Sequence, residues 1–129
     1  MKVVLAIDSD RISPVLDSAR CFLLVTPRSD GALIRRKMHI ADADPVTKAK
    51  HIVELGGRIL ICGAVSWPLE AMLHSAGIRV IPNTCGPLED VMAAFFTGDL
   101  NERAFLMPGC PSRRYRHRHR HGMKWRNGF

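Results

Sequence analysis

The sequence predicts an α/β domain: a mixed five-stranded sheet with flanking helices, in the order β–β–β–α–β–α–β–α. Three observations predict it. Short apolar runs broken by turn residues fill the first forty positions. From residue 44 the rhythm changes to apolar residues at helical spacing that alternate with short buried runs. Gly or Pro marks nearly every change between them.

Lys2–Asp8 is an apolar run ending in an acid, which reads as a buried strand. Ser9–Ser18, with Pro14 inside it, reads as a polar loop. Cys21–Thr26 is a second strand, and Pro27-Arg28-Ser29-Asp30-Gly31 supplies the turn after it. Ala32–Ile40 alternates, with Ile34, Met38 and Ile40 on one face and Arg35, Lys37 and His39 on the other, as a half-exposed hairpin partner does. Asp44-Pro45 is an N-cap followed by Pro at the first helical position. Val46, Ala49, Ile52 and Val53 carry that helix to the Gly56-Gly57 stop. Arg58–Cys62 is a buried strand. Ser66 is placed to cap a second helix, with Leu69, Met72, Leu73 and Ala76 as its stripe and Gly77 as its end. Ile78–Pro82 is the fifth strand. Gly86-Pro87 opens a third helix with Leu88, Val91, Met92 and Phe95 as its stripe, Glu89 and Asp90 near its positive end, and Gly98 as its close.

Parallel crossovers in such a sheet are right-handed, and sites lie beyond the carboxyl ends of the parallel strands. Here those ends are Asp8–Arg11, Cys62–Trp67 and Pro82–Pro87. Three loops are therefore expected to converge on one crevice, bringing Cys62 and Cys85 towards each other although 23 residues separate them.

Charge divides the chain in two. The formal net charge is +7, yet residues 1–110 hold 12 Lys/Arg against 12 Asp/Glu. The whole excess sits in Arg113, Arg114, Arg116, Arg118, Arg120, Lys124 and Arg126, which suggests a neutral domain over 1–106 and a basic His/Arg-rich tail over 107–129. No apolar stretch approaches the roughly 20 residues that span a bilayer. The N-terminus reaches an acid too soon for a signal peptide. A cytoplasmic protein with no membrane association is expected, its four cysteines held as thiols.

Candidate chemistry gathers in two places. In the crevice, Asp8 and Arg11 of the first loop, Gly63, Ala64 and Ser66 of the second, and Asn83, Thr84 and Gly86 of the third are the candidate cofactor contacts. Gly63-Ala64-Val65-Ser66 ahead of a helix is a place where backbone N–H groups bind an anion. Cys62 at a strand end and Cys85 just before a helix are the candidate metal donors there, a thiolate being the form that takes soft metals. In the tail, Cys110 precedes His117, His119 and His121, which lie on one side of an extended chain and form a second candidate ligand set. An anionic metal–sulfide cluster would suit Cys and His as ligands and the interleaved Arg as counter-charges. Asp8 and Asp10 also resemble the start of a two-metal nuclease site, but the matching strand end, Cys62-Gly63-Ala64, has no carboxylate to complete the clamp. A non-catalytic protein is expected.

Ile61-Cys62-Gly63-Ala64-Val65-Ser66-Trp67-Pro68-Leu69, Ala76-Gly77-Ile78-Arg79-Val80-Ile81-Pro82 and Gly86-Pro87-Leu88-Glu89-Asp90-Val91 with Phe96-Thr97-Gly98-Asp99-Leu100 resemble the dinitrogenase iron–molybdenum cofactor biosynthesis family. Its members are NifX-type carriers and the C-terminal domain of NifB-type proteins. The resemblance covers about residues 1–100. It implies a ribonuclease-H-like fold without nuclease activity, non-covalent carriage of a molybdenum-, iron- or copper-containing sulfide cluster or its precursor, and cluster donor and acceptor proteins as partners. Three positions depart from the family pattern. Asp17-Ser18-Ala19-Arg20 replaces a His-Phe-Gly segment, Ala64 replaces a second glycine, and Pro87 replaces a capping Thr. The alternative is an interaction module whose tail binds nucleic acid or an acidic partner through its seven cations.

Overall fold

The computed structural model describes residues 2–41 and 44–98. Its strands are β1 (Val3–Asp8), β2 (Arg11–Ile12), β3 (Cys21–Pro27), β4 (Leu33–His39), β5 (Ile59–Ile61) and β6 (Arg79–Ile81). Its helices are α1 (Pro45–Glu54), α2 (Trp67–Ser75) and α3 (Leu88–Thr97), with a single 3₁₀ turn over Leu16–Ser18. The mixed α/β class is as predicted.

The sheet has six strands in the order β4-β3-β1-β5-β6, with β2 paired to the end of β1. β1, β3 and β4 pair antiparallel, and β1, β5 and β6 pair parallel. The sixth strand corrects the sequence reading, which treated 9–18 as loop. Ser9 and Asp10 make a two-residue turn that folds Arg11 back opposite Asp8 and Ile12 opposite Ile7. Two residues are too few to carry a legible alternation.

Period-2 alternation divides the core between the two faces of the sheet. Val4, Ala6, Phe22, Leu24, Leu60 and Val80 face one way and pack with Ala49 and Ile52 of α1 and Leu69 and Leu73 of α2. Val3, Leu5, Ile7, Leu23, Val25, Ile61 and Ile81 face the other way, packing with Val91, Met92 and Ala94 of α3. Burying a side chain of this size contributes about 1.5–3 kcal/mol, so the two clusters hold the sheet between its helices.

Two predicted patterns shift. On α1, Val46 is 64% exposed while Lys48 is only 1% exposed. The buried stripe is thus rotated, because Lys48 Nζ donates to the carbonyls of Asp17 and Ala19 and lies 5.9 Å from the Phe22 ring centre. β4 is an edge strand and is more exposed than predicted: Ile34 faces solvent and only Met38 is partly buried. Asp44 caps α1 as expected, accepting from the Thr47 N–H at 2.9 Å.

Candidate functional site

The three loops do converge. The Ile12 N–H donates to Gly86 O at 3.1 Å, and the Leu88 N–H to Asp10 O at 2.7 Å, so the first loop is tied to the third. Leu16 N–H donates to Ala64 O at 2.7 Å and Ala64 N–H to Pro14 O at 2.8 Å, tying the first to the second. The Asn83 N–H donates to Gly63 O at 2.9 Å and Thr84 N–H to Cys62 O at 3.0 Å, which joins the second to the third. Isolated bridges between Arg11 and Pro87 and between Val15 and Ala64 continue the same seam. The loops therefore form one backbone-bonded rim at the carboxyl ends of β1, β5 and β6.

Two features show how closely this rim is fitted. A Cβ at Gly63 would stand 2.4 Å from Pro14 O and 2.5 Å from Ser13 O, so only glycine lets the two loops approach. Ser9 (φ 59°) and Asn83 (φ 60°) are the non-glycine residues with left-handed backbone among the described residues, and both lie in converging loops. Such conformations persist where the surrounding structure over-determines them, and they cluster at functional sites. Ser9 occupies the first turn position, which glycine usually takes.

The candidate contacts fall into distinct environments. Asp8 and Arg11 are exposed on either side of the turn. Gly63 is buried, and Ala64 is half-buried with both its N–H and its C=O bonded to the first loop. Thr84 is buried, its Oγ1 3.4 Å from the carbonyls of Ile81 and Pro82. Gly86 (φ 127°) turns the chain into α3. The Thr84 N–H, one residue before Cys85, donates to Cys62 O, and the two thiols differ in burial. Cys62 is fully buried in the core between the sheet and α1/α2, whereas Cys85 is half-buried and belongs to neither core cluster. Cys110, His117, His119 and His121 lie outside the described residues. Among the described residues, no three His, Cys, Asp or Glu side chains gather into a metal-binding group.

Ser66 departs from its predicted capping role. Its hydroxyl makes no capping bond to α2. It donates instead to Asp17 Oδ2 at 2.5 Å, and the Ser66 N–H donates to Asp17 Oδ1 at 2.8 Å. With the Ala64 N–H also engaged, two of the backbone donors expected to receive an anion are already bonded within the protein. Asp17 and Lys48 are the residues sequence reasoning missed. Asp17 lies 49 residues from its partner and Lys48 lies 31 and 29 residues from its carbonyls, separations at which no local pattern signals contact.

Beside the rim, Glu89 in the first turn of α3 takes a bidentate bond from Arg35 of β4, at 2.6 and 2.7 Å. The Arg35 bonds hold the Glu89 carboxyl below its ordinary range, and Glu89 in turn raises the Arg35 guanidinium. Trp67, opening α2 at the edge of the second loop, is 77% exposed. No helix among the described residues is long and apolar enough to cross a membrane.

The sequence matches no family profile and no curated protein. Its fold has solved counterparts. The apo form of the orange protein from Desulfovibrio gigas is 17% identical with a TM-score of 0.64, over 81% of this chain and 94% of that one. A provisional dinitrogenase from Methanocaldococcus jannaschii is 22% identical with a TM-score of 0.61, over 81% and 96%. A provisional NifB protein of the DUF35 family from Thermotoga is 24% identical with a TM-score of 0.59, over 84% and 98%. Nearly the full length of each counterpart is covered, and at these identities what the chain shares with them is the fold.

Proposed function

We propose that this protein is a non-catalytic carrier for a metal–sulfide cluster containing molybdenum, iron or copper, or for the precursor of such a cluster. The observation that carries the reading is the three-loop rim at the ends of the parallel strands, with the half-buried Cys85 beside the left-handed Asn83. It is supported by the fold shared with NifB-type, dinitrogenase-type and orange proteins, and by the resemblance of the 61–100 block to the cofactor-biosynthesis family.

The chemistry follows from the donor set. A single soft ion is usually held by three or four protein donors, whereas the metals of a sulfide cluster already carry sulfide and need fewer. A crevice with the half-buried Cys85 thiol is therefore suited to a cluster. Cys85 would take an open metal position, and the rim loops at Asp8, Arg11, Gly63, Asn83, Thr84 and Gly86 would enclose the rest. Cys62, sealed in the core, is a packing residue in this account. Cys110 with His117, His119 and His121 would add a second ligand set, and the tail arginines would neutralise an anionic cluster. Donor and acceptor proteins would load and unload the crevice.

Reconstitution with tetrathiomolybdate plus copper or iron, followed by desalting and metal analysis, tests the proposal. The wild type should retain metal and sulfide in a fixed ratio and show a visible charge-transfer band, and Cys85→Ser should lose most of both. Wild-type retention no higher than that of an unrelated thiol protein would refute it.

A further inference from the structure

The sheet ends on one side at β4, and this edge differs from the opposite one. β6 has three residues, whereas β4 runs for seven residues with no Gly, Pro or break in its register with β3. At the two ends of the β3–β4 hairpin, the Ile40 N–H donates to Arg20 O and the Arg28 N–H to Ala32 O, both at 2.8 Å. Hydrogen-bonded and non-hydrogen-bonded pairs alternate along an antiparallel ladder. Ile34, Arg36 and Met38 therefore direct their backbone groups to β3, and Leu33, Arg35, Lys37 and His39 turn their N–H and C=O groups outward. Among the described residues no strand lies beyond them. Such a row of outward groups is a template for another strand.

The side chains narrow the partner. Leu33 is 38% exposed and Ile34 49% exposed at one end of the edge. Arg35, Arg36 and Lys37 follow, with no acid in the strand. Glu89 already holds Arg35, while Arg36 and Lys37 make no ion pair among the described residues. Arg36 lies on the α1/α2 face of the sheet beside Leu24, and Lys37 on the α3 face beside Leu23. Like charges opposite one another destabilise a strand pair, and opposite charges stabilise it. A second copy of β4 would set cations against cations, and residues 107–129 bring seven more cations and no acid. Nucleic acid has the matching charge, but its backbone has no amide to complete a ladder. We propose that β4 is a docking edge for an extended segment of another protein, with two adjacent acidic residues opposite Arg36 and Lys37 and apolar residues opposite Leu33 and Ile34. Main-chain bonds to the outward residues supply affinity, and the two cations, one on each face, supply the choice of partner. The proposal is independent of any cargo in the crevice.

The test follows the β4 amides by NMR and hydrogen exchange in the full chain. The probe is the end-blocked peptide Thr-Val-Glu-Glu-Thr-Val-Val, whose acids meet Lys37 and Arg36 when it adds antiparallel. Binding should saturate, and at about ten times the Kd exchange at Leu33, Arg35, Lys37 and His39 should slow about tenfold. A peptide with lysine in place of both glutamates should bind at least about tenfold more weakly. So should a peptide methylated on the two amides that face Lys37 and Arg35, which keeps its charge but loses two ladder bonds. Lys37→Pro removes an outward N–H without removing a bond to β3, so it should bind at least about fivefold more weakly than Lys37→Ala, which loses the same charge. If Lys37→Pro does not fold, the methylated peptide makes the same comparison on the wild type. Equal binding of the methylated peptide would overturn the proposal, because binding would then lie in side-chain or tail charge alone. Outward amides already protected before any peptide is added would overturn it too, since the edge would be covered by this chain or a second copy. So would equal slowing of the same amides by a single-stranded oligonucleotide.

Discussion

At the residue scale, three neighbours in the rim have different jobs, and substitution separates them. Cys85 is half-buried outside both cores, so Cys85→Ser should leave the melting temperature close to wild type while removing retained metal. Cys62 has no solvent exposure, so Cys62→Ser places a hydroxyl in an apolar core and should cost about 1–3 kcal/mol in denaturant unfolding. Equal metal loss from the two variants at equal stability would contradict this division. Gly63→Ala drives a Cβ to 2.4 Å from a backbone oxygen that cannot swing away, so it should destabilise by about 1–3 kcal/mol and loosen the rim. The sequence exposed part of this. The Ile61–Leu69 block pointed to Gly63 as a loop glycine, and the loop position of Cys85 marked it as a candidate. It did not expose Asp17, because an acid in an apparently polar loop carries no sign of its partner 49 residues away.

At the element scale, the predicted strands and helices all form, and the differences come from tertiary contacts. α1 keeps its Asp44 cap and proline start, yet its buried face includes Lys48 because backbone carbonyls of Asp17 and Ala19 wait opposite it. Periodicity treats lysine as a solvent residue and cannot anticipate carbonyls brought in from another element. Lys48→Met should therefore alter the exchange of the Ala19–Cys21 amides as well as those of α1. The Arg35–Glu89 pair links the edge strand β4 to the first turn of α3. Glu89 is the more acidic in the folded state, so the pair's contribution is complete above the ordinary glutamate value of 4.5 and is lost as pH falls through the lower folded value. Glu89→Gln should lower the melting temperature slightly at neutral pH, and the gap between the two proteins should close in strong acid. A gap that widens on acidification would rule out the pair as its source.

At the scale of the whole molecule, charge and fold are separate matters. The neutral body forms the two-faced sheet and the rim, while the seven-cation excess belongs to residues 111–129, outside the described residues. Deleting 107–129 should therefore abolish salt-sensitive binding to polyanions and leave the secondary structure unchanged. Retained polyanion affinity in the truncated protein would move that property to the body. The fold class and the converging loops were legible because apolar period, helix caps and glycine stops each act over a few residues. β2, the Asp17–Ser66 bond and the burial of Lys48 were not, because each is decided by a partner brought in by the fold. The proposed function places a metal–sulfide cluster in the crevice. Its most direct test is elemental and acid-labile sulfide analysis, with a visible spectrum, of the full chain purified without air from its native host. A carrier should hold metal and sulfide in a constant ratio with a charge-transfer band, and Cys85→Ser should be colourless and free of both. Wild-type protein carrying neither metal nor sulfide would contradict it.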